Sequence, residues 1–170
     1  MQDLDKLRFP IGKFDPPQEY SAALIDEWIS NIRDFPEDLA YLLEESSEGL
    51  LEETYRPGGW TVRQLIHHLA DSHMNSFLRF KQALCEDNPT IMAYNENAWV
   101  ATPEIMVTPV HTSALILTAL HARWVNLLEG MTDADWKKTF YHPEHKTSFQ
   151  LWFALAMYAW HGKHHLAHIE

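Results

Sequence analysis

From Tyr20 onward the apolar residues fall into a helical rhythm. Leu24, Trp28 and Ile32 recur at every fourth position, with Ile25 and Ile29 beside them, which puts them on one face of a helix. Pro36 interrupts the run, because its ring opposes helix at the residue before it. Asp34 and Glu37 have the spacing to cap a second helical piece through Leu39, Leu42 and Leu43. The pattern predicts one kinked helix, or two in tandem, ending near Ser46. Tyr55 to Trp60, with Pro57, Gly58 and Gly59, reads as loop. Thr61 and Gln64 then have capping-box spacing. A second long helix is expected from there to about Cys85, striped by Val62, Leu65, Ile66, Leu69, Phe77, Phe80 and Leu84.

Residues 86–110 contain Pro89, Pro103 and Pro109 but also Ile91, Tyr94 and Trp99. A loop this long in a compact domain is more often functional than idle. His111 to Glu129 is helical again, with Leu115, Ile116, Leu120, Trp124, Leu127 and Leu128 in phase. Met131 to Lys138 predicts one short turn capped at Thr132. Phe140 to Pro143 reads as loop, and the last helix is expected to start near Ser148 and run through the terminal histidines. Residues 1–20, with Pro10, Gly12, Pro16 and Pro17, read as an extended, non-helical arm. No segment shows sustained strand alternation. The expectation is an all-α fold, a four-helix bundle with a long crossover loop between helices 2 and 3, in a single domain spanning 1–170.

Composition narrows the function. The chain has 170 residues, 46% of them hydrophobic, enough for one sizeable core. A single cysteine, Cys85, rules out an internal disulfide. The N-terminus lacks a basic start followed by an apolar run, so the cytoplasm is the expected compartment. No stretch approaches the ~18 apolar residues of a membrane span. A formal net charge of −11 repels phosphate backbones, so a nucleic-acid partner is not expected.

The chemistry lies in the histidines. There are eleven, and His161, His164, His165 and His168 crowd the C-terminal end. A second group, His67, His68 and His73, sits on the second helix. Imidazole is the commonest protein ligand for transition metals, and two groups on separate striped helices suggest one ion clamped between them. His161 and His165 lie ~40° apart and ~6 Å along a helix axis, a spacing that can grip one ion. His164 and His168 share that spacing. The stripe Leu151, Ala154, Tyr158 favours the first pair, leaving His164 at the surface and His168 either supporting the site or facing solvent. His67 and His68 fall on opposite shoulders of their stripe, so periodicity does not choose between them. His73, near the stripe centre, reads as a core or supporting histidine. Histidines without a nearby cysteine make a closed structural zinc site a poor fit and leave an open position for water or substrate.

The run Gly59 to Ser76, GWTVRQLIHHLADSHMNS, resembles the signature of the DinB/YfiT-like metal-dependent family, and more narrowly the YfiT group of metal-dependent hydrolases, relatives of bacillithiol S-transferases. Arg8 to Gly12, Phe140 to Pro143 and Trp160 to Ile169 resemble that group too. The resemblance implies one zinc or nickel ion per chain on three histidines: His68, which precedes the Leu-Ala-Asp step, with His161 and His165. It also implies a homodimer. Relatives continue the last helix beyond the position of Glu170, so fraying is expected to touch His168 more than His161.

Such an ion can generate hydroxide for hydrolysis or present a low-molecular-weight thiol as thiolate. Asp71, one turn after His68, is the candidate general base. Tyr94, Asn95, Trp99, Tyr141 and His142 lie in loops able to cover the site and are candidates for binding a small-molecule substrate. Arg56 and Arg79 are candidate anion contacts. The rival reading is a metal-binding or dimerising bundle without turnover. The metal reading requires the side chains at 68, 161 and 165 to converge within about 4 Å of one another.

Overall fold

A computed structural model describes residues 4–47 and 49–170. Four long helices carry the fold: α2 (Ala22–Glu45), α3 (Val62–Cys85), α6 (Val110–Glu129) and α8 (Leu151–Ile169). α2 and α3 each pack along both α6 and α8, so α2 lies diagonally across the bundle from α3, and α6 from α8, while α3 and α6 are neighbours. Ser21 caps α2 through the Leu24 amide. Thr61 caps α3, with the reciprocal Gln64 contact predicted from the sequence.

Pro36 does not divide α2, and Asp34 starts no new helix; one helix runs from Ala22 to Glu45. A proline within a helix removes one amide and so frees the carbonyl four residues before it. Here that carbonyl belongs to Ile32, and it accepts a 2.6 Å hydrogen bond from His121 Nδ1 of α6. Burial of Ile32, Phe35 and Leu39 on either side of the proline holds the helix together. Tertiary packing outweighs the local preference.

Three other expectations change. The N-terminal arm is not wholly extended: α1 (Leu4–Arg8) forms a short helix. The crossover between α3 and α6 contains two single-turn helices, α4 (Glu96–Trp99) and α5 (Glu104–Val107). Instead of a plain loop before the last helix there is a hairpin, β1 (Thr139–His142) paired antiparallel with β2 (Thr147–Gln150). Each strand has four residues, too short for alternation to stand out. Between α6 and the hairpin, Thr132 caps the one-turn helix α7 (Asp133–Trp136) as expected. The Tyr141 backbone exchanges hydrogen bonds with Pro89 and Ile91, so the hairpin pins the start of the crossover.

The core is in two parts. One gathers Trp28, Ile32, Phe80, Trp124, Leu151 and Leu155; the other gathers Phe35, Leu39, Leu65, Leu69, Leu117 and Leu166. Between the Ile32 and Phe35 levels lies a layer of imidazoles. Phe35 stacks on His121 and packs tilted against His73, with centroids 5.1 Å away in each case. Gly162 makes room for this, because a Cβ there would meet the Phe35 ring at 2.9 Å.

Thr61→Ala removes the α3 cap and is expected to lower stability by about 1 kcal/mol. Urea denaturation measures this, and an unchanged midpoint would show that the cap contributes nothing.

Candidate metal centre

α3 and α8 bring His68, His161 and His165 together: one ring nitrogen from each lies within 4.8 Å of the others. Ring centroids are 5.5 Å apart for His68–His161, 5.4 Å for His68–His165 and 4.5 Å for His161–His165. That limit is wider than the 4 Å expected from the sequence. A tetrahedral ion bonded at 2.0–2.1 Å would hold its nitrogens about 3.4 Å apart, inside that limit. Trp60 packs on His68 with centroids 4.7 Å apart, and its indole N–H donates to Asn97 at 3.1 Å.

Both α8 histidines are held from behind. His161 Nδ1 lies 3.2 Å from His73 Nε2, and His73 Nδ1 lies 2.8 Å from His121 Nε2. His165 Nδ1 lies 3.3 Å from His168 Nδ1, whose Nε2 lies 3.1 Å from the Leu7 carbonyl. Ligand histidines typically use their second nitrogen in this way. His73 is thus the supporting core residue expected. His168 is tethered to α1 rather than facing solvent. The sequence reading missed His121, although its place between Leu117 and Trp124 on the inward face of α6 marked it as buried.

The remaining histidines separate cleanly. His67 turns away, its Nδ1 2.8 Å from Ser113 Oγ on α6, so the structure brings His68 and not His67 to the group. His164 is buried, contrary to its expected surface position, because Trp160 stacks on it at 4.3 Å and Phe9 of the N-terminal arm covers it at 6.1 Å. His164, His165 and His168 form a second compact triad. Both nitrogens of His168 are already committed there, so this triad reads as support for His165.

A cavity of about 190 Å³ reaches His161, lined also by Ser72, Arg79, Tyr94, His142 and Tyr158. A wider surface groove of about 510 Å³ between Tyr20, Ile29 and Arg33 carries no histidine. Of the loop candidates, Tyr94 and His142 line the cavity. Trp99 supports it by packing on Tyr94 with centroids 4.4 Å apart. Tyr141 serves the hairpin, and Asn95 caps α4. Arg56 packs on Tyr55, away from the cavity, whereas Arg79 is buried with its Nε unpartnered.

Burial lowers the pKa of His68 to about 4. His73, His161 and His165 are held well below the usual histidine range by burial and then by neighbouring imidazoles. All are therefore neutral at pH 7, the form that donates a lone pair. Burial, then Glu104, pushes the Asp71 carboxyl up to about 6. Among the described residues no recorded contact joins the Asp71 carboxylate to the three histidines.

The DinB superfamily matches residues 31–169. The chain belongs to the DinB superfamily. A relative from Bacillus mycoides (strain KBAB4), named "putative metal-dependent hydrolase", is 48% identical over 163 residues, covering 96% of this chain and 93% of its own. One of the same name from Bacillus cereus (strain B4264) is 46% identical, covering 98% and 95%. Among solved structures, YfiT from Bacillus subtilis, described as a probable metal-dependent hydrolase with an unusual four-helix bundle topology, superposes with a TM-score of 0.93. It is 43% identical over 96% of this chain and 94% of that one. A mycothiol-dependent maleylpyruvate isomerase shares the fold at a TM-score of 0.60 and 16% identity, covering 82% of this chain and 60% of its own. The four-helix bundle expected from the sequence is thus this DinB-superfamily protein's fold. Among the described residues no helix is long and apolar enough to cross a membrane.

The buried histidines predict a pH dependence. His68 and His121 have folded pKa values of about 4 against an ordinary 6.5, so the unfolded chain binds more protons between those values. Their contribution is complete above pH 6.5 and is lost as pH falls toward 4, on the order of 2 kcal/mol per ring by pH 5. Thermal melting of the metal-free protein is expected to drop by several degrees or more from pH 7 to pH 5, and a flat profile would contradict it.

Proposed function

We propose that this protein is a metal-dependent hydrolase that holds one zinc or nickel ion on His68, His161 and His165. The observation that carries the reading is the convergence of three neutral ring nitrogens from α3 and α8 beside a cavity. The donor set fits: imidazole suits zinc and nickel, and three ligands leave a position open. A cation held there by His68, His161 and His165 would polarise a substrate oxygen and bring the pKa of water toward ~7. The names of the relatives at 46–48% identity support hydrolysis.

The cavity's own residues would select the substrate. The Arg79 guanidinium forms no ion pair among the described residues; its Nη2 donates only to the Met92 carbonyl at 3.3 Å, and its Nε has no partner. Glu96 and Glu144 line the same cavity; burial, then Glu144, pushes the Glu96 carboxyl up, and Arg79 draws it part of the way down. A buried guanidinium with no hydrogen-bonded carboxylate is still costly, and an anionic group on the substrate would add to that compensation. His142 Nδ1, also buried and unpartnered, offers a second polar contact. Asp71, with its raised pKa, is the group best suited to accept a proton near neutrality.

One observation favours a second reaction. No carboxylate hydrogen-bonds the three histidines among the described residues, so Asp71, or Glu96 and Glu144 of the cavity, would have to act as base without direct contact with them, which favours hydrolysis less. Transfer of a low-molecular-weight thiol, bound as thiolate, needs no such base.

Elemental analysis is expected to find one zinc or nickel ion per chain, with at least tenfold weaker binding in His68→Ala, His161→Ala and His165→Ala. Full occupancy in all three variants would refute the ligand set. The loaded protein is then given carboxylated esters and amides, and separately a thiol panel with a chlorinated aromatic. Product in the first mixture supports hydrolysis; thiol loss only in the second supports transfer. Silence in both leaves a metal-binding bundle without turnover. With an anionic substrate, Arg79→Met is expected to raise KM about tenfold or more, the scale of one lost charged contact; an unchanged KM would remove Arg79 from substrate recognition.

A further inference from the structure

Two main-chain carbonyls, one freed by a proline, fix the direction of every proton behind the metal centre. The first chain starts at Ile32. Its carbonyl has no amide to meet at position 36, because Pro36 has none, and it can only accept. His121 Nδ1, 2.6 Å away, must therefore carry a hydrogen. In a neutral ring the other nitrogen is then an acceptor, so His121 Nε2 receives the hydrogen of His73 Nδ1 at 2.8 Å. His73 Nε2 in turn receives the hydrogen of His161 Nδ1 at 3.2 Å. No carboxylate contacts these rings among the described residues, and a buried unpaired imidazolium would be costly, so each carries one proton.

The second chain starts at Leu7, in the last turn of α1, where a helix leaves its carbonyls without internal partners. His168 Nε2 donates to it, which leaves His168 Nδ1 to accept from His165 Nδ1. The two chains share no residue, yet they end alike, with Nδ1 protonated and Nε2 bearing a lone pair.

We propose that Pro36 and His121, acting through His73, and Leu7, acting through His168, are positioning elements that lock His161 and His165 in the tautomer presenting Nε2 to a cation. The idea rests on the metal reading above only for its purpose; the tautomers themselves do not depend on a metal. A proline in the middle of a helix and a short N-terminal helix thereby acquire a role at a site they do not touch. Supporting contacts of this kind typically change metal affinity 10–100-fold.

Nitrogen-15 NMR of histidine-labelled, metal-free protein reads each tautomer directly. His161, His165, His73 and His121 are expected to be protonated at Nδ1, and His168 at Nε2. Protonation of His161 or His165 at Nε2 would overturn the proposal. Pro36→Ala restores an amide that competes for the Ile32 carbonyl. It is expected to leave thermal stability equal or higher while weakening Zn²⁺ binding about tenfold in a chelator competition, a split that a purely structural role would not produce. His121→Gln can still donate to Ile32 and accept from His73, so it is expected to bind Zn²⁺ nearly as the native protein does, whereas His121→Phe is expected to bind it 10–100-fold more weakly. Native Zn²⁺ affinity in both Pro36→Ala and His121→Phe would overturn the proposal. If the native protein shows the expected tautomers but binds no metal, the metal reading fails and the tautomer assignment stands.

Discussion

A buried imidazole in a helix bundle costs least when its bare nitrogen finds a donor and its hydrogen finds an acceptor. That constraint organises this protein. A layer of rings cuts the apolar core in two between Ile32 and Phe35. Left unmatched, each such group would cost on the order of 1–3 kcal/mol. The chain of contacts from Ile32 through His121 and His73 to His161 matches them one after another. Its end, in the proposed tautomers, is the Nε2 lone pair of His161, beside His68 and His165.

The rest of the fold can be understood as support for that layer. Phe35 lies against the two middle rings, and Gly162 yields the space that Phe35 occupies. α1 does more than finish the chain, since its Leu7 carbonyl holds His168 and its neighbour Phe9 covers His164. The crossover and the hairpin, tied together through Tyr141, Pro89 and Ile91, build the opposite wall. There Tyr94 and His142, with Arg79 of α3, give the site a small, polar approach. Bundle, arm and hairpin therefore meet around one side-chain cluster.

Much of this was legible in the sequence, for identifiable reasons. Periodicity found the four long helices because their apolar stripes are long, and the Thr61–Gln64 box fixed the start of α3. The four-residue spacing of His161 and His165 and their alignment with Tyr158 marked them as a pair. Periodicity could not separate His67 from His68, since the difference lies in what each meets: Ser113 for one, Trp60 and the α8 histidines for the other. Resemblance to a family pointed to His68, and it is His68 that lies beside the α8 histidines. Pro36 misled because local rules treat a missing amide as a break and cannot see a partner arriving from α6. His121 was overlooked because a lone histidine on an apolar stripe gives no local sign of its partners. The hairpin escaped because four residues per strand carry too little pattern.

X-ray absorption spectroscopy of the zinc- or nickel-loaded protein is the most direct test of the central claim. Convergence of His68, His161 and His165 on one ion predicts a shell with outer scattering from three imidazoles, completed by oxygen. A spectrum showing sulfur, or fewer than three imidazoles, would contradict it.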